Sequence, residues 1–133
     1  MSLDALAVDV SNAVPVTILH PKTRQPLRDA EGKEAFISVV SLDSPEVQKV
    51  QKAALNKRLK MRGRVTMTAD ELEAERAEAL VAATKDWYLV GLDGTPLNVP
   101  LNDTTARTVY TDLRFSWIKE QVSEALDDRA TFL

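Results

Sequence analysis

The side chains that most often perform chemistry are few or scattered in this sequence. His20 is the single histidine, so a metal site around it would need carboxylate ligands from elsewhere in the chain. It stands in the segment His-Pro-Lys-Thr at residues 20–23, which is typical of a turn. Cysteine is absent, which excludes a disulfide framework, a thiolate metal site and a cysteine nucleophile. We therefore interpret His20 as a structural residue.

Carboxylate pairs and glycine-rich loops are the remaining candidates for chemistry. The acidic residues cluster on helix faces that are expected to face solvent, where nothing tunes a pKa for acid-base catalysis. The four glycines do not form a phosphate-binding loop, because Gly91 and Gly94 belong to one turn. We predict that the protein is not an enzyme and that it uses no catalytic residue, metal or cofactor.

Length and composition predict one globular domain over residues 1–133. A chain of 133 residues falls in the commonest range for compact domains, roughly 100–150 residues. Apolar residues make up 44% and charged residues 28%, which is typical of a chain that folds around a core. No apolar run approaches the roughly 20 residues of a membrane helix, and the first residues lack the pattern of a signal peptide. We expect a cytoplasmic protein without a membrane partner.

Residues 14–42 are predicted to form an antiparallel β-hairpin. Two apolar runs rich in β-branched residues, at 16–19 and 35–40, are typical of strands, and polar turn residues separate them. A two-stranded hairpin alone is marginally stable in water. The helices that follow are therefore expected to cover it.

Residues 44–128 are predicted to be mainly helical. Ser44 followed by Pro45 favours one helix start, and Thr68 with Glu71 three residues later favours a second. Apolar residues at helical spacing mark the predicted buried stripes, which are Val47, Val50, Ala54 and Met61 in the first helix and Leu72, Ala79, Leu80, Ala83 and Trp87 in the second.

The last third of the chain adds a turn, two more helices and a tail. Asp-Gly within residues 91–94 indicates the turn, and prolines keep residues 95–100 extended. Asn102 is predicted to cap a short third helix, and a fourth runs over residues 116–128. The predicted fold class is therefore α+β, with an N-terminal antiparallel β-hairpin packed on about four helices and a C-terminal tail at residues 129–133.

The main charge feature is a basic segment within the first predicted helix and its continuation. Its members are Lys49, Lys52, Lys57, Arg58, Lys60, Arg62 and Arg64. These cations spread around the whole circumference, and no aromatic residue interleaves them, so nucleic acid is not the expected partner. The second helix carries acids at residues 70–78. We interpret the pair as solvated helices whose opposite charges attract; binding to a protein or to nucleic acid stays as the alternative.

The last helix and the tail supply the candidate partner-binding residues. An apolar arc with Trp117 at its edge covers nearly half of the helix circumference. One interpretation is that Arg129 caps the final carbonyls while Phe132 and Leu133 fold back onto the core. The other is that this segment docks on another protein, with Trp117, Arg129 and Phe132 as anchors. The candidate set is Phe115, Trp117, Ile118, Val122, Arg129, Phe132 and Leu133.

Several stretches of the sequence, taken together, form a pattern that is typical of a protein family. They are residues 16–23, residues 44–64, residues 67–72 with Trp87, and the C-terminal pieces 113–118 and 128–133. In combination they resemble the tail assembly chaperones of long-tailed, non-contractile phages and prophages. The tail is the most specific piece, and the resemblance covers most of the chain from about Val14. Such proteins often have a glycine in the turn after the first strand, where this chain has Arg24.

Membership of that family implies a non-catalytic protein of the bacterial cytoplasm that is absent from the mature virion. It implies binding to the tape-measure protein and recruitment of major tail (tube) protein subunits, with self-association left open. A groove between the hairpin and the amphipathic helices is expected to present the binding surface. The alternative is a structural minor tail or tail-completion protein, which would remain in purified particles.

Overall fold

The computed structural model describes residues 3–7, 9–60 and 68–132. Within these residues a four-stranded antiparallel sheet and four α-helices form the fold, which confirms the α+β class. The strands, in their spatial order, are β1 (Val14–Thr17), β2 (Phe36–Val39), β3 (Thr84–Val90) and β4 (Pro96–Leu97). The helices are α1 (Pro45–Leu59), α2 (Ala69–Ala83), α3 (Asp103–Thr111) and α4 (Ser116–Asp127). Short 3₁₀ helices lie at Leu3–Leu6, Leu113–Phe115 and Arg129–Phe132.

β1 and β2 form the predicted N-terminal hairpin, with Val16 opposite Ile37. Their connection is compact because backbone hydrogen bonds join three of its residues in a ring. The N–H of Ile18 donates to the carbonyl of Ala35, that of Leu27 to Ile18, and that of Ala35 to Leu27. All three side chains are buried, so the connection adds to the hydrophobic core.

The turn that follows the first strand has a left-handed residue at Arg24, with φ of +60°. Glycine is the residue that adopts this conformation without steric cost. His20 holds the turn, since its carbonyl accepts from the N–H of Arg24 and its Nδ1 accepts from the N–H groups of Lys22 and Thr23, at 3.0 and 3.3 Å. His20 therefore has the predicted structural role, and Arg24 keeps the backbone conformation that a glycine would favour.

Strand β3 replaces the predicted end of the second helix. The prediction that α2 continues through Trp87 is wrong, because α2 ends at Ala83 and Trp87 pairs with Ile37 of β2. The β-branched and aromatic residues of Thr84–Val90 favour a strand once β2 offers a partner. Region 44–128 is thus not helical throughout, and β3 lies between β2 and β4 in the sheet.

The other predicted helix boundaries agree closely with the structure. Thr68 Oγ1 accepts from the N–H of Glu71 at the start of α2, and Asn102 forms a reciprocal capping box with Thr105 at the start of α3. Helix α4 begins at Ser116, as predicted, and ends at Asp127. Buried residues of the sheet and of the helices form one hydrophobic core cluster.

Candidate functional site

The predicted C-terminal residues mostly face their own chain. Ile118 and Val122 of α4 are buried, and so is Phe132 in the last 3₁₀ helix. Phe115 and Trp117 are half-buried and pack against the same core cluster. The structure therefore brings these residues together around α4, where the buried members stabilise the fold.

The structure does not describe the side chains of two of the predicted partner-binding residues. The side chain of Arg129 and the whole of Leu133 lie outside the described part of the chain. The predicted cap by Arg129 is therefore left as a prediction.

A side-chain amide joins α4 to the end of the first strand region. Gln121 Oε1 accepts from the N–H of Leu19 at 2.7 Å, and Gln121 Nε2 donates to the carbonyl of Leu19 at 2.9 Å. The amide thus satisfies both backbone groups of Leu19, as a neighbouring strand would. This contact spans 102 positions in the sequence and fixes α4 against the hairpin.

A groove between α1 and α2 presents apolar side chains to solvent. Its volume is about 1100 Å³. Val50, Ala54 and Leu55 line it on α1, and Leu72 and Ala79 line it on α2. The side chains of Leu55 and Leu72 are 46% and 55% exposed, although this surface is formed by two packed helices. The groove is therefore a candidate surface for an apolar partner.

The sequence pattern predicts that part of this surface is buried. Leu72 was expected on a buried stripe with Ala79 and Leu80, yet Leu72 is exposed. Met61, expected on the α1 stripe, lies outside the described residues. The available signal was Leu55 with Leu59 four residues later, two apolar residues that fall off the stripe of Val47, Val50 and Ala54.

An ion pair holds the two walls of the groove together. Arg58 Nη1 of α1 donates to both carboxylate oxygens of Glu75 on α2, at 2.9 and 2.7 Å. This confirms, for this pair, the predicted attraction between the basic and acidic helices. Arg62 and Arg64 of the basic segment lie outside the described residues.

A second groove lies between α2, α3 and α4 and has a volume of about 800 Å³. Carboxylates dominate its lining, with Asp70, Glu73, Asp112, Glu120, Glu124 and Asp127 among them. Hydrogen bonds from Arg114 lower the pKa of Asp112 to about 2, so this carboxylate is charged across the usual pH range. The second groove is thus acidic, whereas α1 is basic.

The tyrosines with raised pKa values have structural partners. The Tyr88 hydroxyl donates to Asp29 Oδ2 at 2.5 Å, and this bond raises the pKa of Tyr88 to about 12. Burial raises the pKa of Tyr110 to about 12, and its hydroxyl lies 2.6 Å from Thr84 Oγ1. Neither tyrosine lines the α1–α2 groove.

In residues 3–7, 9–60 and 68–132, no group of three or more histidine and acidic side chains is placed to hold a metal ion. No helix among the same residues is both long and apolar enough to span a membrane.

Comparison with protein-family models, with curated proteins and with solved structures gave no match to this chain.

Proposed function

We propose that this protein is a phage tail assembly chaperone, a non-catalytic binding protein for the tape-measure protein that also helps to recruit tail-tube subunits. The observation that carries the proposal is the α1–α2 groove with its exposed Leu55 and Leu72. Exposed apolar grooves with polar margins are common binding sites for amphipathic helices. The resemblance in the sequence supplies the partner, since a tape-measure protein is long, helical and apolar.

The dimensions of the groove suit weak and repeated binding. Its volume corresponds to about two to three turns of α-helix. A contact of that length buries less surface than the ~1,200 Å² at which stable interfaces begin. Many copies of the protein, each bound weakly, would cover a long helical partner and could still dissociate from it during assembly.

The site differs from the one expected from the sequence. The supporting surface lies between α1 and α2, not between the hairpin and the helices. Phe115 and Trp117 stay as candidates for a second contact, for example with the tail-tube protein, because both are half-buried. In this proposal the protein acts in the cytoplasm of the bacterial host and is absent from the virion.

Co-expression with the tape-measure and tail-tube proteins of the same phage or prophage tests the proposal. The chain carries an affinity tag, and the proteins that elute with it are identified by mass spectrometry. Soluble tape-measure protein in the eluate, together with absence of this chain from purified particles, is the expected result. An empty eluate, with this chain present in the particles, would instead support a structural minor tail or tail-completion protein.

A further inference from the structure

Helix α1 is basic although the whole chain has a net charge of −3. It contains four basic residues and one acidic residue, Glu46. Glu46 Oε2 lies 3.4 Å from Lys85 Nζ of β3, so that carboxylate already has a cationic partner. Two of the lysines on α1, Lys52 and Lys57, line the groove.

The α2 wall of the groove carries three carboxylates, Glu71, Glu75 and Glu78, and one cation, Arg76. Glu75 pairs with Arg58, and Glu78 accepts from Arg107 Nε at 2.7 Å. Arg76 Nη2 donates to Asp127 Oδ1 at 3.0 Å. Among the described residues, by contrast, neither Lys52 nor Lys57 has an ion-pair partner. The groove therefore has an apolar floor and two lysine charges that form no ion pair with its three carboxylates, all of which lie among the described residues.

We infer that the groove selects amphipathic helices with an acidic flank. The inference rests on the proposed function and specifies the chemistry of the partner segment. The apolar stripe of the partner helix lies on Leu55 and Leu72, and glutamate or aspartate side chains beside that stripe face Lys52 and Lys57. A basic flank would place like charges together in the same position.

The expected selectivity is modest because these lysines are exposed. Exposed ion pairs are weak, so two of them give a preference of roughly 3- to 10-fold at low salt. Salt screens such pairs, so the preference should shrink as ionic strength rises. The net negative charge of the whole chain acts in the opposite direction and favours a basic peptide. A preference for the acidic peptide would therefore report the local charge of the groove.

Two synthetic helical peptides test the inference, with the same apolar stripe but with either glutamate or lysine on the flank. Binding to the full chain is followed by fluorescence anisotropy at low and high salt. The glutamate peptide should bind more tightly. The variant Lys52→Glu with Lys57→Glu should reverse the order, whereas the control Lys22→Glu with Lys49→Glu, which changes the net charge equally at exposed lysines outside both grooves, should keep it.

Equal binding of both peptides, or tighter binding of the lysine peptide by the unmodified chain, would overturn the inference. Binding of neither peptide would also overturn it, while the proposed function would still be decided by recovery of the tape-measure protein. The acidic second groove of another copy is the rival occupant of this surface. Sedimentation that shows a dimer which excludes the glutamate peptide, and which the variant Lys52→Glu with Lys57→Glu dissociates, would assign the surface to that copy and overturn the inference as well.

Discussion

At the scale of single residues, the hydroxyl side chains at the N-cap positions of α1 and α2 differ in what they bind. Thr68 Oγ1 accepts a hydrogen bond from the N–H of Glu71 at 3.2 Å. Ser44 occupies the same position before α1, but its side chain makes no capping bond, and within the described residues its buried hydroxyl lacks a hydrogen-bond partner. A buried hydroxyl without a partner is destabilising.

Replacement of each residue by alanine should therefore have opposite effects. Thr68→Ala should lower the free energy of unfolding by about 0.5–2 kcal/mol, because a capping bond is lost. Ser44→Ala should leave it unchanged or raise it by about 1 kcal/mol, because an unsatisfied hydroxyl is removed. Chemical denaturation of the two variants measures both changes. A loss in Ser44→Ala as large as that in Thr68→Ala would contradict this account of α1.

Asp29 offers a second test at this scale. The hydrogen bond from Tyr88 is the main reason that the pKa of Asp29 lies below its usual 3.8, and the N–H of Lys33 adds to the effect. A lowered folded-state pKa means that the carboxylate stabilises the fold above about pH 3.8. This stabilisation is lost as the pH falls through the lower folded-state value.

Tyr88→Phe should raise the pKa of Asp29 toward 3.8, because its strongest hydrogen bond is removed. Carboxyl chemical shifts followed by NMR between pH 2 and 6 would report the midpoint. Tyr110→Phe is the matched control, since Tyr110 bonds to Thr84 and not to Asp29. An unchanged midpoint in Tyr88→Phe would show that the Tyr88 hydroxyl does not determine this pKa.

At the scale of secondary-structure elements, α4 depends on its link to the hairpin. Gln121→Ala should lower the free energy of unfolding by about 1–3 kcal/mol, because the N–H and carbonyl of Leu19 lose their partners. Glu120→Ala, an exposed neighbour on the same helix, should change it by less than about 0.5 kcal/mol. Thermal and urea unfolding would measure both. Equal effects of the two variants would mean that the amide link adds nothing specific.

Phe132 decides between the two interpretations of the C-terminal tail. Its side chain is 5% exposed. Phe132→Ala should therefore lower the free energy of unfolding by about 3 kcal/mol, because buried apolar surface is lost and a cavity is left. The cost should appear in the isolated protein as a lower melting temperature. An unchanged melting temperature combined with lost binding to the tape-measure protein would instead identify Phe132 as a docking anchor.

Local signals in the sequence were enough to predict several elements. The caps at Thr68 and Asn102, the hairpin of β1 and β2, and the start of α4 depend on neighbouring residues, and the structure confirms them. Strand β3 depends on pairing with β2, which is distant in sequence, and Trp87 happens to continue the helical spacing of Ala83. Periodicity alone therefore predicted helix where the tertiary structure has a strand.

The groove could not be predicted for a related reason. An apolar stripe has the same sequence pattern whether another element buries it or it is exposed to solvent. Leu72 shares helical spacing with Ala79, yet Leu72 is 55% exposed and Ala79 is buried. For the same reason the buried Ile118 and Val122 looked like candidate contacts for a partner.

At the scale of the whole molecule, we expect the α1–α2 groove to be the surface that binds the partner. The most direct measurement is the yield of soluble tape-measure protein on co-expression with the variant Leu55→Gln with Leu72→Gln. The control is Leu92→Gln with Leu97→Gln, whose leucines are similarly exposed, at 56% and 44%, but lie outside the groove. Circular dichroism confirms that both variants fold.

We expect the groove variant to lose most of the soluble tape-measure protein and the control variant to retain it. Full recovery with the folded groove variant would show that another surface binds the partner.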